Sequence, residues 1–245
     1  MAEILDVVKN ADSALGCSEL ARRTGLPKST VWRLCTEMAE AGFVDRYGDK
    51  VGIGLRVFEW GVSAHCPELT REVAMPLLLD LHAATGHTVH LAVLDGLDVV
   101  YLEILPGRNT PRLPSRVGGR LPAHATGVGK ALLAASPADV VDSLLDTRLT
   151  ALGPRTVRHP DLLRRQLMRA ATGEVALEWE ESGPGIGCMA AAVRDVNGVA
   201  VAAISAAGWA GRMNQRYVGS AVQGAARDLS RALRPVSTRA TFRRD

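Results

Sequence analysis

Apolar residues recur at helical spacing through the first third of the chain and alternate with polar ones further on. Ile4, Leu5, Val7, Val8 and Ala11 predict a first helix. Ser18-Glu19-Leu20-Ala21-Arg22-Arg23 predicts a second, with Leu20 and Ala21 available for packing. Thr24-Gly25-Leu26 reads as a turn, in which Gly25 can take positive φ without steric cost. Pro27 suits the first helical position, where a missing N–H is no loss. Val31, Leu34, Cys35 and Met38 then fall at i, i+3, i+4 and i+7, the buried stripe of a third helix. Phe43-Val44-Asp45-Arg46-Tyr47 and Val51-Gly52-Ile53 flank Gly48-Asp49-Lys50 and predict a hairpin. Two helices across a tight turn, followed by a hairpin, make residues 1–54 a winged helix-turn-helix.

Leu55, Phe58 and Val62 predict a helix ending near Pro67, and Leu69, Val73, Leu77 and Leu81 a further one, with Pro76 as a kink or restart. Residues 55–75 are assigned as a linker helix and 76–234 as a second domain. In that domain Thr88–Leu94 and Val99–Leu105 read as strands around the Asp95-Gly96 turn signal. Residues 107–122 read as a long loop, 129–135 as a helix, and Ser136-Pro137 as a cap-and-start for another. A helix from His159-Pro160-Asp161 runs through Ala171, and Val175–Glu181 is a strand. Cys188–Val193 and Val199–Ala207 form an apolar hairpin around Asn197-Gly198, and Asn214–Leu233 is a closing amphipathic helix. Residues 235–245 are Arg-rich, lack apolar periodicity and are expected to be a flexible basic tail. The fold class is therefore α+β, with a largely antiparallel sheet in the larger domain.

Composition narrows this picture without redirecting it. No run of about 18 apolar residues suggests a membrane span, and the acidic start lacks the positive segment of a signal peptide. A cytoplasmic protein with no membrane partner is expected. Cys17, Cys35, Cys66 and Cys188 form no CxxC pair, so no zinc ribbon or thioredoxin-type site is suggested. The net charge is only +3, and residues 1–56 hold eight basic and eight acidic side chains. A DNA-binding domain must then sort its charges by face. Lys28, Ser29, Thr30, Trp32, Arg33 and Thr36 occupy the start and outer face of the third helix, and Arg46 and Lys50 sit on the hairpin. These are the candidate DNA-binding residues, since such donors and cations meet a major groove. Trp32 either touches DNA or covers the hairpin, and Arg33 either reads a base or holds a phosphate.

Gly127-Val128-Gly129-Lys130-Ala131 superficially looks like a phosphate loop, but His124 and Ala131 stand where that motif needs Gly and Ser or Thr. Small residues at a helix start either expose amides to an anion or make a tight packing turn. His82, His87 and His90 lack a completing ligand set, so no metal and no cofactor is assigned. Cys188 sits among small apolar residues, which suits an inert thiol. A small-molecule enzyme using Cys188 and a winged-helix protein-interaction module are the alternatives from other functional classes.

Across nearly its whole length the chain resembles the IclR family of bacterial transcriptional regulators. The resemblance rests on residues 18–34 and Gly42-Phe43-Val44, and more specifically on 85–96, 119–134, Gly187-Cys188-Met189-Ala190-Ala191 and 202–208. It implies a GAF-like effector-binding domain, a homodimer or dimer of dimers, and an inverted-repeat operator in double-stranded DNA. It further implies a ligand-responsive regulator, more a repressor than an activator, and no enzyme activity. Carried over, the pocket for a small organic effector would be lined by Leu121, Gly127, Val128, Glu178, Ile186, Cys188 and Ser205. Glu178 stands where the family usually has Asp, and Ala207 where a second Ser is common.

Overall fold

The computed structural model describes residues 1–237 except 12, 63–64 and 109. The chain divides into two compact units, Met1–His65 and Cys66–Asp245.

In the first unit α1 (Ala2–Lys9), α2 (Cys17–Thr24) and α3 (Lys28–Glu40) pack with a small antiparallel sheet. Its strands are β1 (Leu15–Gly16), β2 (Val44–Tyr47) and β3 (Lys50–Ile53), in the order β1-β3-β2. Ile4, Val8, Leu20, Val31, Cys35 and Met38 close over Val44 and Val51 to form the core. Burying such side chains contributes roughly 1.5–3 kcal/mol each. Gly25 ends α2 at φ 71°, as the turn between the two helices requires. Pro27 stands just before α3 rather than inside it, with extended backbone, and the hairpin turn is Gly48-Asp49 alone, with Lys50 already in β3. Helix α4 (Leu55–Val62) ends this unit's described elements, five residues short of Pro67.

The second unit holds α5 (His65–Thr85), which runs through Pro76 without restarting. Pro76 is exposed, so water can meet the carbonyl that proline leaves without a helical donor. The inward face of α5 carries Ala74, Leu78 and Leu81, with Val73 and Leu77 of the expected stripe half-buried beside them. The sheet has β4 (Thr88–Asp95), β5 (Asp98–Leu105), β6 (Arg120–Pro122), β7 (Ala176–Trp179), β8 (Ile186–Arg194) and β9 (Ala200–Trp209). All pairings are antiparallel, in the order β6-β5-β4-β9-β8-β7. β6 lies within the expected loop 107–122, and the expected strand 175–181 stops at Trp179.

Alternation sorts this sheet into two faces. Val89, Leu91, Met189, Val193, Ile204 and Ala206 pack against α5 and the closing helix α9 (Gln215–Ser237). Ala92, Ala190 and Ala203 pack against α6 (Gly127–Ala134), α7 (Ala138–Leu145) and α8 (Pro160–Ala171). Ser136 is not the cap of α7: its hydroxyl donates back to the Leu132 carbonyl of α6, and Pro137 holds the cap position. Helix α9 continues to Ser237, so 235–237 are helical rather than tail, and the rest of the expected tail, 238–245, lies outside the described residues. No described helix is long and apolar enough to cross a membrane.

Candidate functional site

Helix α3 buries Val31, Cys35 and Met38 and thereby turns Lys28, Ser29, Trp32 and Arg33 outward, with Thr30 and Thr36 half-buried at the margins. The hairpin brings Arg46 back over this helix. Its guanidinium lies 4.4 Å from the centre of the Trp32 ring, and Nη1 donates to Thr36 Oγ1 at 3.4 Å. Thr36 in turn donates to the Trp32 carbonyl at 3.0 Å. Trp32, Thr36 and Arg46 are thus one cluster that ties the hairpin to α3, with the indole still 50 % exposed. Arg33 donates to Glu37 one turn along at 2.7 Å. Lys28, Ser29, Thr30 and Lys50 make no side-chain hydrogen bond among the described residues. On α2, Glu19 holds Arg22 and Arg23, and their guanidinium hydrogen bonds bring its carboxyl down to about 2. Glu19 thus offsets part of the charge of these two cations, as Glu37 does for Arg33.

In the second unit the start of α6 meets the sheet. Thr126 caps α6, accepting from the Gly129 amide at 3.1 Å. A Cβ at Gly127 would lie 2.8 Å from Cys188 Sγ, and one at Gly129 would run into the Ala123 carbonyl. Both glycines serve close packing of helix on sheet. Between α6, the sheet and the 113–115 segment lies a cavity of about 20 Å3. Leu121, Gly127, Val128, Glu178, Ile186, Cys188 and Ser205 all line it, and so does Ala207. Tyr101, Ser115, Thr126 and Ser182, not picked out from the sequence, line it as well, and so does His90, which the sequence offered only among the histidines weighed for a metal. The period of two does put His90 on the same face as Ala92 and, across the strand pair, opposite Ser205, but that register is not written in any local pattern.

Three of the polar groups form a chain. Ser115 Oγ is 2.9 Å from His90 Nε2, and His90 Nδ1 is 3.2 Å from Ser205 Oγ. Cys188 Sγ lies beside Gly127, where an added Cβ would come within 2.8 Å of it. Burial holds the His90 ring down to about 4, so it is neutral. Burial, reinforced by the Glu178 charge, pushes the Cys188 thiol up to about 12, which leaves no thiolate nucleophile. Burial also raises the Tyr101 phenol. Glu178 is pushed up to about 7 by burial, against the pull of its hydrogen bonds to Ser182 and Glu181. Below it Lys130, 1 % exposed, reaches Glu181 Oε1 at 2.5 Å and the Leu177 carbonyl at 3.1 Å. Burial lowers the Lys130 ammonium and the Glu181 charge opposes that. Of the two readings of the start of α6, the tight packing turn is seen in the Gly129 amide taken up by Thr126 and in the two glycines that meet Cys188 and Ala123. His82 Nδ1 bonds to the His87 carbonyl at 2.9 Å while His90 bonds to two serines, so the three histidines do not converge.

Residues 68–232 match the family described as bacterial transcriptional regulator IclR C-terminal, and residues 1–47 match the IclR helix-turn-helix domain. This chain belongs to the IclR family. It is 34% identical over 238 residues to the HTH-type transcriptional repressor AllR of Klebsiella pneumoniae, covering 94% of this chain and 87% of that one. It is 31% identical over 238 residues to the transcriptional repressor IclR of Escherichia coli K12, with the same coverage. Among solved structures, an IclR homolog from Microbacterium hydrocarbonoxydans complexed with 4-hydroxybenzoate is 29% identical. It superposes with a TM-score of 0.86 over 95% of this chain and 96% of that one. As an IclR-family member the chain is a ligand-responsive, DNA-binding transcriptional regulator and not an enzyme.

Proposed function

We propose that this regulator holds an operator through α3 and the hairpin, and that the cavity beside α6 takes the small organic effector that controls it. Lys28, Ser29, Thr30, Trp32, Arg33 and Thr36 face the major groove, with Arg46 and Lys50 supporting from the hairpin. One such helix reads only a few base pairs, so the working unit is a homodimer or a dimer of dimers on an inverted repeat. The protein acts in the cytoplasm. The repressors among its relatives favour repression as its sign. The observation that carries the reading is that seven residues scattered from 121 to 205 surround one cavity on the sheet face against α6.

At about 20 Å3 the cavity holds a water and no more. A ring the size of the ligand in the Microbacterium relative enters only if Leu113, Pro114 and Ser115, which come from a loop, move outward. Operator mapping followed by titration of Arg33→Ala tests the DNA face. A loss of about 1–3 kcal/mol on the operator alone marks a base contact, and an equal loss on random duplex marks a phosphate contact. A folded wild-type chain that binds no duplex at low salt overturns the proposal.

A further inference from the structure

On the outer face of α3 one side chain is held in place by its neighbours on a second element. Arg46 follows buried Val44 by two positions on β2, so its stem is directed at α3. Its guanidinium lies 4.4 Å from the centre of the Trp32 ring, and Nη1 donates to Thr36 Oγ1 at 3.4 Å. Thr36 donates in turn to the Trp32 carbonyl at 3.0 Å. Arg46 thus covers one face of the indole, and the ring is still 50 % exposed on what Arg46 leaves uncovered. The other outward groups are of a different kind. Lys28 and Ser29 make no side-chain hydrogen bond among the described residues, and Arg33 is drawn along the helix to Glu37 at 2.7 Å.

Trp32 is the only exposed large apolar side chain on α3. An indole is poorly suited to hydrogen-bonded readout of bases, since it has a single donor and no acceptor. Phosphates are better met by the cations of Lys28 and Lys50 than by an apolar ring. The major groove presents donors, acceptors and one apolar group, the C5 methyl of thymine. That methyl is the one groove group for which a flat apolar surface is the natural partner, because both lose contact with water when they meet. The stacked guanidinium also orders the ring before DNA arrives, so less side-chain freedom is lost on binding.

Granted the reading of α3 as the helix that enters the major groove, we propose that Trp32 reads a thymine in each half of the operator by packing its open face on the C5 methyl, with Arg46 as the positioning residue behind the ring. Withdrawing one methyl from water is worth about fourfold in affinity, and about tenfold or more when a copy of Trp32 acts in each half-site.

The test uses the full-length chain and an operator that it selects from a random duplex library. Each thymine is replaced by deoxyuridine at matching positions in both half-sites, which removes the methyl and keeps every hydrogen-bonding group. Wild type is expected to bind about tenfold more weakly when one particular thymine is replaced. Trp32→Ala should bind the thymine and uracil duplexes equally, within about twofold. Trp32→Phe, which keeps an aromatic face should the alanine variant fold poorly, is expected to retain part of the preference, and Arg46→Ala to lose part of it. The assignment is overturned if no thymine responds to loss of its methyl, or if Trp32→Ala responds as strongly as wild type. It is equally overturned if Trp32→Ala weakens operator and random duplex by the same factor, the mark of a phosphate contact. The two readings separate at the selection step. A folded wild type that selects no sequence defeats the reading of α3 and this assignment with it, whereas a selected operator that is indifferent to uracil defeats the assignment to Trp32 alone.

Discussion

Glu178 and His90 impose opposite pH dependences on the folded state. An unfolded glutamate titrates near 4.5, whereas buried Glu178 titrates at about 7. Between those values the folded chain keeps a proton that the unfolded chain has lost, so stability falls as pH rises and the full penalty is present above about 7. A shift of that size corresponds to roughly 3 kcal/mol. His90 is lowered from 6.5 to about 4, so the unfolded chain takes up the extra proton and stability falls as pH drops through that window. Unfolding midpoints of wild type and Glu178→Gln, compared at about pH 5 and about pH 8, should show wild type alone losing stability on the alkaline side. Equal losses in both proteins would mean that Glu178 is not the titrating group. Lys130 and Glu181 form a different kind of pair, both buried, with Glu181 Oε2 lacking any partner among the described residues. Lys130→Met should cost about 3–5 kcal/mol in denaturant unfolding, because it strands a buried carboxylate. Lys130→Met with Glu181→Leu should recover part of that. The sequence placed Lys130 in a motif but gave no sign that its charge would be buried, since its partner stands 51 positions away.

At the scale of elements, helix α6 and the α3 hairpin unit each depend on a close approach that one side chain can break. Gly127→Ala pushes a methyl against Cys188 Sγ and should cost about 1–3 kcal/mol of stability while abolishing ligand binding in the cavity. Unchanged stability would show that the sheet yields easily there. Arg46→Ala removes the guanidinium stacked on Trp32 and frees the hairpin from α3. It should weaken operator binding about tenfold with little loss of melting temperature, since an exposed contact of this kind is worth about 0.5–1 kcal/mol to the fold. A large fall in melting temperature would assign Arg46 to the fold instead. Helices and long strands were legible in the sequence because their apolar periods are local. The three-residue β6 was not legible: it carries no alternation of its own and forms only because Arg120, Leu121 and Pro122 lie beside Val100, Val99 and Asp98 of β5. Ser136 misled for a related reason, since its hydroxyl had two helices to choose between and bonded the one behind it.

For the molecule as a whole, regulation requires that ligand and DNA bias one equilibrium. If the cavity ligand lowers operator affinity by some factor, operator DNA must lower ligand affinity by the same factor. Calorimetry of one ligand with and without saturating operator checks this, and an unequal pair of factors would show that the ligand releases DNA from a second site. What the sequence determined by itself was the order of elements, which face of each is buried, the helix-turn-helix and the family. Those follow from side-chain direction, which repeats every 3.6 residues in a helix and every two in a strand and is written in neighbouring letters. Only the tertiary structure decided that Ser115, His90 and Ser205 form one hydrogen-bonded chain, that Arg46 lies on Trp32, and that the Gly129 amide of α6 is taken up by Thr126. The first two depend on strand register or on the meeting of distant segments. That is fixed by packing and hydrogen bonding across the whole unit, and no local pattern encodes it.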